Sequence, residues 1–266
     1  MTSRKQMTLL LTVVLFAATT GCRGAGGFLV RQDLPTIAHV HVGHALTGWK
    51  DAPQKKGLFV VAREEARTAR TQARLAIAET NDLETVRRNV GHVVQAIDPS
   101  HYDAAHFGKG PAHNYGLNKA LSMAVSHIVF AADSDDASTN VKDFAASFEN
   151  NAQAVLERNK LILALSQDVF EAASVEDARA MALEIEALTR ANVDGVDSDG
   201  DGVVGSREDE FGTEPLHRSV QAMLQREDPP YQPVAERYLF GLIRLPSGKW
   251  DFAFRHRHEK KGYDGY

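Results

Sequence analysis

The chain has 266 residues, of which 43% are hydrophobic and 24% are charged, the balance of an ordinary globular protein. Its net charge of -5 provides no general basic field, so nucleic acid is excluded as an expected partner. The single cysteine, Cys22, excludes an intramolecular disulfide framework and a cysteine-rich metal cluster.

The first 22 residues have the pattern of an export signal. Two basic residues are followed by an uncharged, mostly apolar run over 7–18, which is too short to form a stable membrane-spanning helix. The run ends in Thr-Thr-Gly-Cys, which resembles the lipobox of bacterial lipoproteins, whose cysteine is acylated before the signal peptide is cleaved. The alternative is an ordinary secretory signal, cut near Ala18 or Gly21.

The lipobox resemblance implies a signal peptide over 1–21 and a lipidated Cys22. Several acyl chains together hold a protein firmly on a membrane, and residues 22–34 would then serve as a short tether. Arg23 follows the cysteine, where an aspartate is associated with retention in the inner membrane. The resemblance therefore implies the periplasmic side of the outer membrane, with the inner membrane as the alternative.

Residues 35–193 are predicted to form an all-α bundle of about five helices, because no strand pattern alternates with the helical ones. The first helix begins near Gly57, and the others cover about 82–97, 116–133, 138–173 and 175–191. In the first helix, alanines recur at steps of four and three: Ala62, Ala66, Ala69, Ala73 and Ala76. Such a row of small side chains lets a partner helix approach closely. No family is recognised for this region.

Seven histidines are candidate ligands of a transition metal or haem: His39, His41, His44, His101, His106, His113 and His127. His39 and His41 would share one side of an extended segment, with His44 just beyond Gly43. The loop over 100–114 carries three of the others and could fold over them to form a pocket. The sequence contains no H-E-x-x-H, helical E-x-x-H or C-x-x-C-H motif. The alternative is that the first three pack at the end of the bundle, and that His127 is a buried structural histidine.

A second candidate site is the acidic stretch "DSDGDGVVGSRE" over 197–208. Calcium takes six to eight oxygen ligands, and this stretch places them at the spacing of an EF-hand loop. The predicted calcium ligands are Asp197, Asp199, Asp201, the carbonyl of Val203 and Glu208. Gly202 stands at the sixth position, where the chain must turn sharply. The alternative is a solvated acidic loop.

The longer stretch over 197–216 is similar to bacterial thrombospondin type 3-like calcium repeats, in which a Gly-Thr-Asp/Glu-Pro turn follows the loop. It departs from an EF-hand because Gly212 and Pro215 cut the exit helix short. It departs from the repeats because no second acidic loop follows. The resemblance therefore implies a single calcium ion that acts as a structural brace, and not a paired sensor.

Residues 194–266 are predicted to form the calcium loop and a C-terminal appendage. A short helix is expected near 215–226, and the stretch from Leu242 to Phe254 has the pattern of a β-hairpin around Pro246. The basic run over 255–261 is either a solvated tail or a contact for anionic lipid.

These features predict a calcium-binding, membrane-anchored periplasmic lipoprotein with an unidentified protein or small-molecule partner. The alternatives are a histidine-based transition-metal or haem protein and an enzyme with a histidine-lined pocket. No nucleophile–base motif, phosphate loop or catalytic carboxylate pair is legible in the sequence, so a non-catalytic role is favoured.

Overall fold

The computed structural model describes residues 36–78 and 82–227, together with three short strands at 236–237, 242–244 and 250–252. The predicted signal peptide, Cys22, the predicted tether, the predicted turn around Pro246 and the basic run over 255–261 lie outside these residues. Among the described residues, no helix is long and apolar enough to cross a membrane.

The helices confirm the all-α prediction for the bundle. The described residues form eight α-helices: the five predicted for the bundle, the short helix predicted near 215–226, and two more, α1 and the one-turn α4. They are α1 (Ile37–Leu46), α2 (Leu58–Ala76), α3 (Leu83–Ile97), α4 (Ala104–Phe107), α5 (Leu117–Asp133), α6 (Thr139–Glu171), α7 (Val175–Asp194) and α8 (Thr213–Arg226). Short 3-10 turns occur at Pro53–Lys55, Pro99–His101 and Glu208–Glu210.

The starts of three helices are fixed by side-chain caps that the sequence already shows. Asp82 accepts a hydrogen bond from the Glu84 N–H at the start of α3, and Ser138 and Ser174 cap α6 and α7 in the same way. Such caps satisfy backbone donors that have no partner within the helix. Local chemistry therefore sets these boundaries.

The predicted row of alanines in α2 lies in the centre of the bundle. All five of its alanines are at most 1% exposed. Helix α2 packs against α3, α5 and α7, and more lightly against α1 and α8. Because the methyl side chains of alanine are short, neighbouring helices can approach α2 closely, and several of them pack around it.

Helix α1 corrects the prediction that His39 and His41 lie on one side of an extended segment. Thr36 caps this helix by accepting from the His39 N–H. The carboxylate of Asp136 accepts from the Ile37 and Ala38 N–H groups at 2.7 and 3.0 Å. The segment shows no helical hydrophobic pattern because it is apolar on most sides, as expected of a helix that is mostly buried.

Residues Leu34–Pro233 form one compact unit, which includes the acidic segment and α8. The strands that follow it form an antiparallel three-stranded sheet in the order β1 (Glu236–Arg237), β2 (Leu242–Arg244) and β3 (Trp250–Phe252). Arg237 pairs with Ile243, which pairs with Asp251 on the other side.

Candidate metal sites

The acidic loop folds around the carboxylate of Asp197. Its Oδ1 accepts from the N–H groups of Gly200 at 2.8 Å and Asp201 at 3.1 Å, and its Oδ2 accepts from the Gly202 N–H at 2.9 Å. Gly202 has φ +81°, a left-handed conformation that a Cβ disfavours. The turn expected at the sixth loop position is therefore present.

Glu210 supplies a buried carboxylate to the other side of the loop. Its Oε1 accepts from the Ser198 N–H at 3.0 Å, and its Oε2 accepts from the N–H groups of Gly205 at 3.1 Å and Ser206 at 3.0 Å. The side chain is fully buried. Burial raises the pKa of this carboxyl, but the hydrogen bonds from Ser198, Ser206 and Arg207 outweigh burial and lower the pKa to about 2. Glu210 is thus ionised at neutral pH.

Three carboxylates converge at this loop. One oxygen each from Asp197, Asp199 and Glu210 lies within 4.8 Å of the others. The expected ligand Glu208 is instead exposed, and its Oε1 accepts from Asn150 of α6 at 3.1 Å. The EF-hand pattern ends at its twelfth residue, so it gives no reason to consider Glu210, two positions later.

Asp201 and Val203, the other two predicted ligands, lie on the exposed side of the loop. Asp201 accepts from the Val203 N–H at 2.7 Å, and the Val203 side chain is 58% exposed. A set of carboxylate oxygens suits a hard cation such as calcium better than a transition metal.

The end of the acidic loop is tied to the bundle by backbone contacts. The Val196 N–H donates to the Glu210 carbonyl at 2.9 Å, which joins the two ends of the loop. A Cβ at Gly212 would lie 2.5 Å from the Gly195 nitrogen and 2.6 Å from the Ala191 carbonyl oxygen, so only glycine allows this approach. The chain thus passes directly from the loop to α8 across the end of α7.

A second cluster consists of three histidines on α1 and α5. The Nδ1 atoms of His41 and His127 are 3.3 Å apart, and ligand nitrogens of His41, His44 and His127 all lie within 4.8 Å of one another. Burial lowers the pKa of His127 to about 4, helped by the nearby His41. Burial also lowers the pKa of His41, although Asp136 opposes this. Both rings are therefore neutral near pH 7, the form that binds metals.

Aromatic side chains border the histidine cluster. The ring of Trp49 lies 4.7 Å from that of His127 and 4.9 Å from that of His44, measured between centroids. Phe130 lies 5.7 Å from His41 and is 52% exposed. The cluster therefore has a buried indole on one side and reaches the protein surface near Phe130.

The other candidate histidines lie against carboxylates elsewhere. His39 Nε2 contacts Glu227 at 2.8 Å, in a buried pair. His101, His106 and His113 lie at 3.5, 3.5 and 3.0 Å from Asp98, Glu84 and Glu64 respectively. Among the described residues, the close group of ligand nitrogens that contains His41 and His44 is completed by His127 and by no histidine of the loop over 100–114. The prediction that His127 is buried is confirmed, at 7% exposure.

No family model, curated protein or solved structure matches the chain.

Proposed function

We propose that this protein is a non-catalytic, calcium-binding lipoprotein, in which a single calcium ion braces the acidic loop and α8 against the helical bundle. The observation that carries the proposal is the convergence of Asp197, Asp199 and the buried Glu210. Three like charges at such distances repel one another, and a divalent cation converts the repulsion into attraction. The EF-hand-like spacing of the loop supports the same ion.

Two observations indicate which residues would bind the calcium ion. Convergence of side chains favours Asp197, Asp199 and Glu210. The loop pattern adds Asp201 and the Val203 carbonyl, and it favours Glu208 in place of Glu210. The two glutamates are therefore alternative ligands that an experiment can distinguish.

A bracing role follows from what the loop connects. Helix α7 ends immediately before the loop and α8 begins three residues after the Glu208–Glu210 turn. Glu214, in the first turn of α8, pairs with Arg63 at 2.8 Å and Arg67 at 2.6 Å on α2. An ion bound in the acidic loop would restrict the conformations of the segment between α7 and α8, both of which already pack on the bundle. We therefore expect calcium to stabilise the fold without exposing a hydrophobic groove.

Isothermal titration calorimetry on the mature chain carrying Cys22→Ser tests calcium binding. We expect a dissociation constant in the range of roughly 10⁻⁵ to 10⁻³ M for a single extracellular-type loop. Glu210→Gln should weaken binding by at least about tenfold, because a buried ligand loses its charge, while Glu208→Gln serves as the matched control. A larger loss in Glu208→Gln than in Glu210→Gln would favour the loop-pattern ligand set, and no heat with the parent chain at millimolar calcium would overturn the proposal.

The anchor is a separate part of the proposal and rests on the lipobox-like sequence that ends at Cys22. Metabolic labelling with a radioactive fatty acid should label the parent chain and not Cys22→Ser. Fractionation of the envelope should place the labelled protein with the outer membrane. Recovery of unlabelled, soluble periplasmic protein would instead support an ordinary secretory signal.

A further inference from the structure

We propose that His41, His44 and His127 form a second metal site, which binds one transition-metal ion of the Zn²⁺, Co²⁺, Ni²⁺ or Cu²⁺ class. The site shares no ligand with the acidic loop. The inference is therefore independent of the calcium proposal, and either can fail without the other.

The nitrogen positions match what one ion requires. Two nitrogens bound to a tetrahedral ion at about 2.0–2.1 Å lie roughly 3.3 Å apart. The Nδ1 atoms of His41 and His127 are separated by 3.3 Å. The His44 ring centroid lies 4.9 Å from that of His127 and 5.8 Å from that of His41, so a small side-chain adjustment brings its nitrogen to the same ion.

The ligand-bearing helices are held in place by contacts outside the cluster. His41 and His44 are one helical turn apart on α1, so they share a face, and α1 packs along α5, which carries His127. Asp136 fixes the first turn of α1. Only the side chains then need to order when the ion binds, which lowers the cost of binding.

The donor set selects the class of ion. Three imidazoles with no carboxylate among the grouped ligands favour zinc, copper, nickel or cobalt over calcium or magnesium. The neighbouring side chains of Trp49 and Phe130 offer no metal-ligating atom, so the imidazole nitrogens are the metal ligands of this cluster. Without an ion, one imidazole N–H can donate to the other ring nitrogen across the 3.3 Å contact between His41 and His127.

Three protein ligands leave one position of a tetrahedral ion for water or an external ligand. The cluster meets the surface beside the half-exposed Phe130. An ion at this site would therefore be reachable from solvent and exchangeable, in contrast to a closed structural zinc site with four protein ligands.

Titration of the untagged mature chain carrying Cys22→Ser with Zn²⁺, at saturating calcium, tests the proposal. We expect binding of one ion, and Co²⁺ in its place should give the visible absorption of a four-coordinate complex. Because even the loss of an outer-shell partner costs about 10–100-fold in affinity, His44→Gln should weaken binding by at least that factor. The control His101→Gln changes an exposed histidine beside Asp98 and should bind as the parent does.

Trp49 gives a second readout that does not depend on stoichiometry. In a Trp250→Phe background, Cu²⁺ bound at this cluster should quench the remaining Trp49 fluorescence, since its ring lies 4.7 Å from His127. Circular dichroism and melting of His44→Gln without metal check that the helices are intact. Unchanged Zn²⁺ affinity in a folded His44→Gln protein, or no Zn²⁺ uptake by the parent chain, would overturn the site. Either result leaves calcium binding untouched.

Discussion

The guanidinium of Arg158, on α6, donates from Nη2 to the backbone carbonyl of Asp209 across 2.8 Å. The same nitrogen donates to the carbonyl of Phe211 at 2.9 Å, and Nη1 donates to the Asn192 side chain at 3.3 Å. One partly buried cation thus connects the core of the bundle to both sides of Glu210. The position of the buried carboxylate in the acidic loop therefore depends on a residue about 50 positions earlier in the chain.

Replacement of Arg158 should uncouple the acidic loop from the bundle. Hydrogen bonds from charged donors contribute about 1.5–3 kcal/mol each, so Arg158→Met should lower the free energy of unfolding by about 3 kcal/mol. Arg158→Lys keeps the charge but lacks the forked donors of the guanidinium. Its free energy of unfolding should therefore lie between those of the parent and Arg158→Met. Urea unfolding measures these values, and Arg190→Met, an exposed change on α7, is the matched control.

The same variants test whether calcium acts through this contact. If the ion braces the loop against the bundle, calcium should raise the melting temperature of the parent more than that of Arg158→Met. An equal calcium-induced rise in the melting temperatures of both proteins would show that the stabilising effect of calcium does not depend on the contact between Arg158 and the loop.

Features set by neighbouring residues could be predicted from the sequence. The helix α2 begins within a few residues of the predicted position, and α3, α5, α6 and α7 both begin and end near theirs. Caps such as Asp82 and Ser138 act locally, so the sequence shows them. The alanine row of α2 was legible for the same reason, since its spacing is a property of one helix. The glycine turn at Gly202 likewise depends only on its own loop.

Features set by distant contacts could not be predicted. His41 meets His127 across 86 positions of sequence, and His39 meets Glu227 across 188. Seven of the eleven histidines are candidate ligands in the sequence, and the packing of α1 on α5 determines which three converge. Glu210 was missed for a related reason, because its burial depends on the turn that follows the twelve-residue loop pattern.

Acid should remove the stabilising effect of Glu210 over a defined range. Its pKa falls from 4.5 to about 2 on folding, so the folded state releases this proton more readily than the unfolded state does. The contribution is fully present above 4.5 and is lost as the pH falls towards 2. In the presence of a chelator, the melting temperature of the parent should therefore drop more steeply over this range than that of Glu210→Gln. Parallel curves would contradict the depressed pKa.

Glu65 should show the opposite dependence on pH. This fully buried carboxylate of α2 accepts from the N–H groups of His113, Tyr115 and Gly116 at 3.3–3.5 Å, at the start of α5. Burial raises its pKa, and these hydrogen bonds only partly offset the rise. The folded state thus keeps a proton that the unfolded state releases above 4.5, and stability falls as the pH rises through this window.

Two substitutions separate the charge of Glu65 from its role as an acceptor. Glu65→Gln keeps an acceptor for α5 and removes the buried charge, so near pH 7 it should be at least as stable as the parent. Glu65→Leu leaves buried N–H groups without an acceptor and should cost about 1–3 kcal/mol. Chemical unfolding at several pH values measures both, with the exposed Glu149→Gln as control. A large loss in Glu65→Gln at neutral pH would show that the charged form is the one the fold requires.

Asn159 is the centre of a buried polar line that joins three helices. Its Nδ2 donates to Asn118 of α5 at 2.8 Å, and its Oδ1 accepts from Asn192 of α7 at 2.7 Å. Because Asn192 also receives a hydrogen bond from Arg158, the line extends to the acidic loop. A fully buried amide with both ends satisfied orients its neighbours as well as stabilising them.

Asn159→Leu should therefore reduce stability and also weaken calcium binding at a distance. The substitution leaves the Asn192 amide without its acceptor and should cost about 2 kcal/mol, as one unsatisfied buried group does. If Asn192 then reorients, Arg158 loses a partner, and the calcium affinity of the loop should fall severalfold without a change in any ligand. Urea unfolding and calcium calorimetry are the measurements, and Gln153→Leu, an exposed change on the same helix, is the control. A loss of stability with unchanged calcium affinity would show that the hydrogen bonds of Asn159 stabilise the bundle only. Calcium binding would then not depend on how the core beneath the loop is ordered.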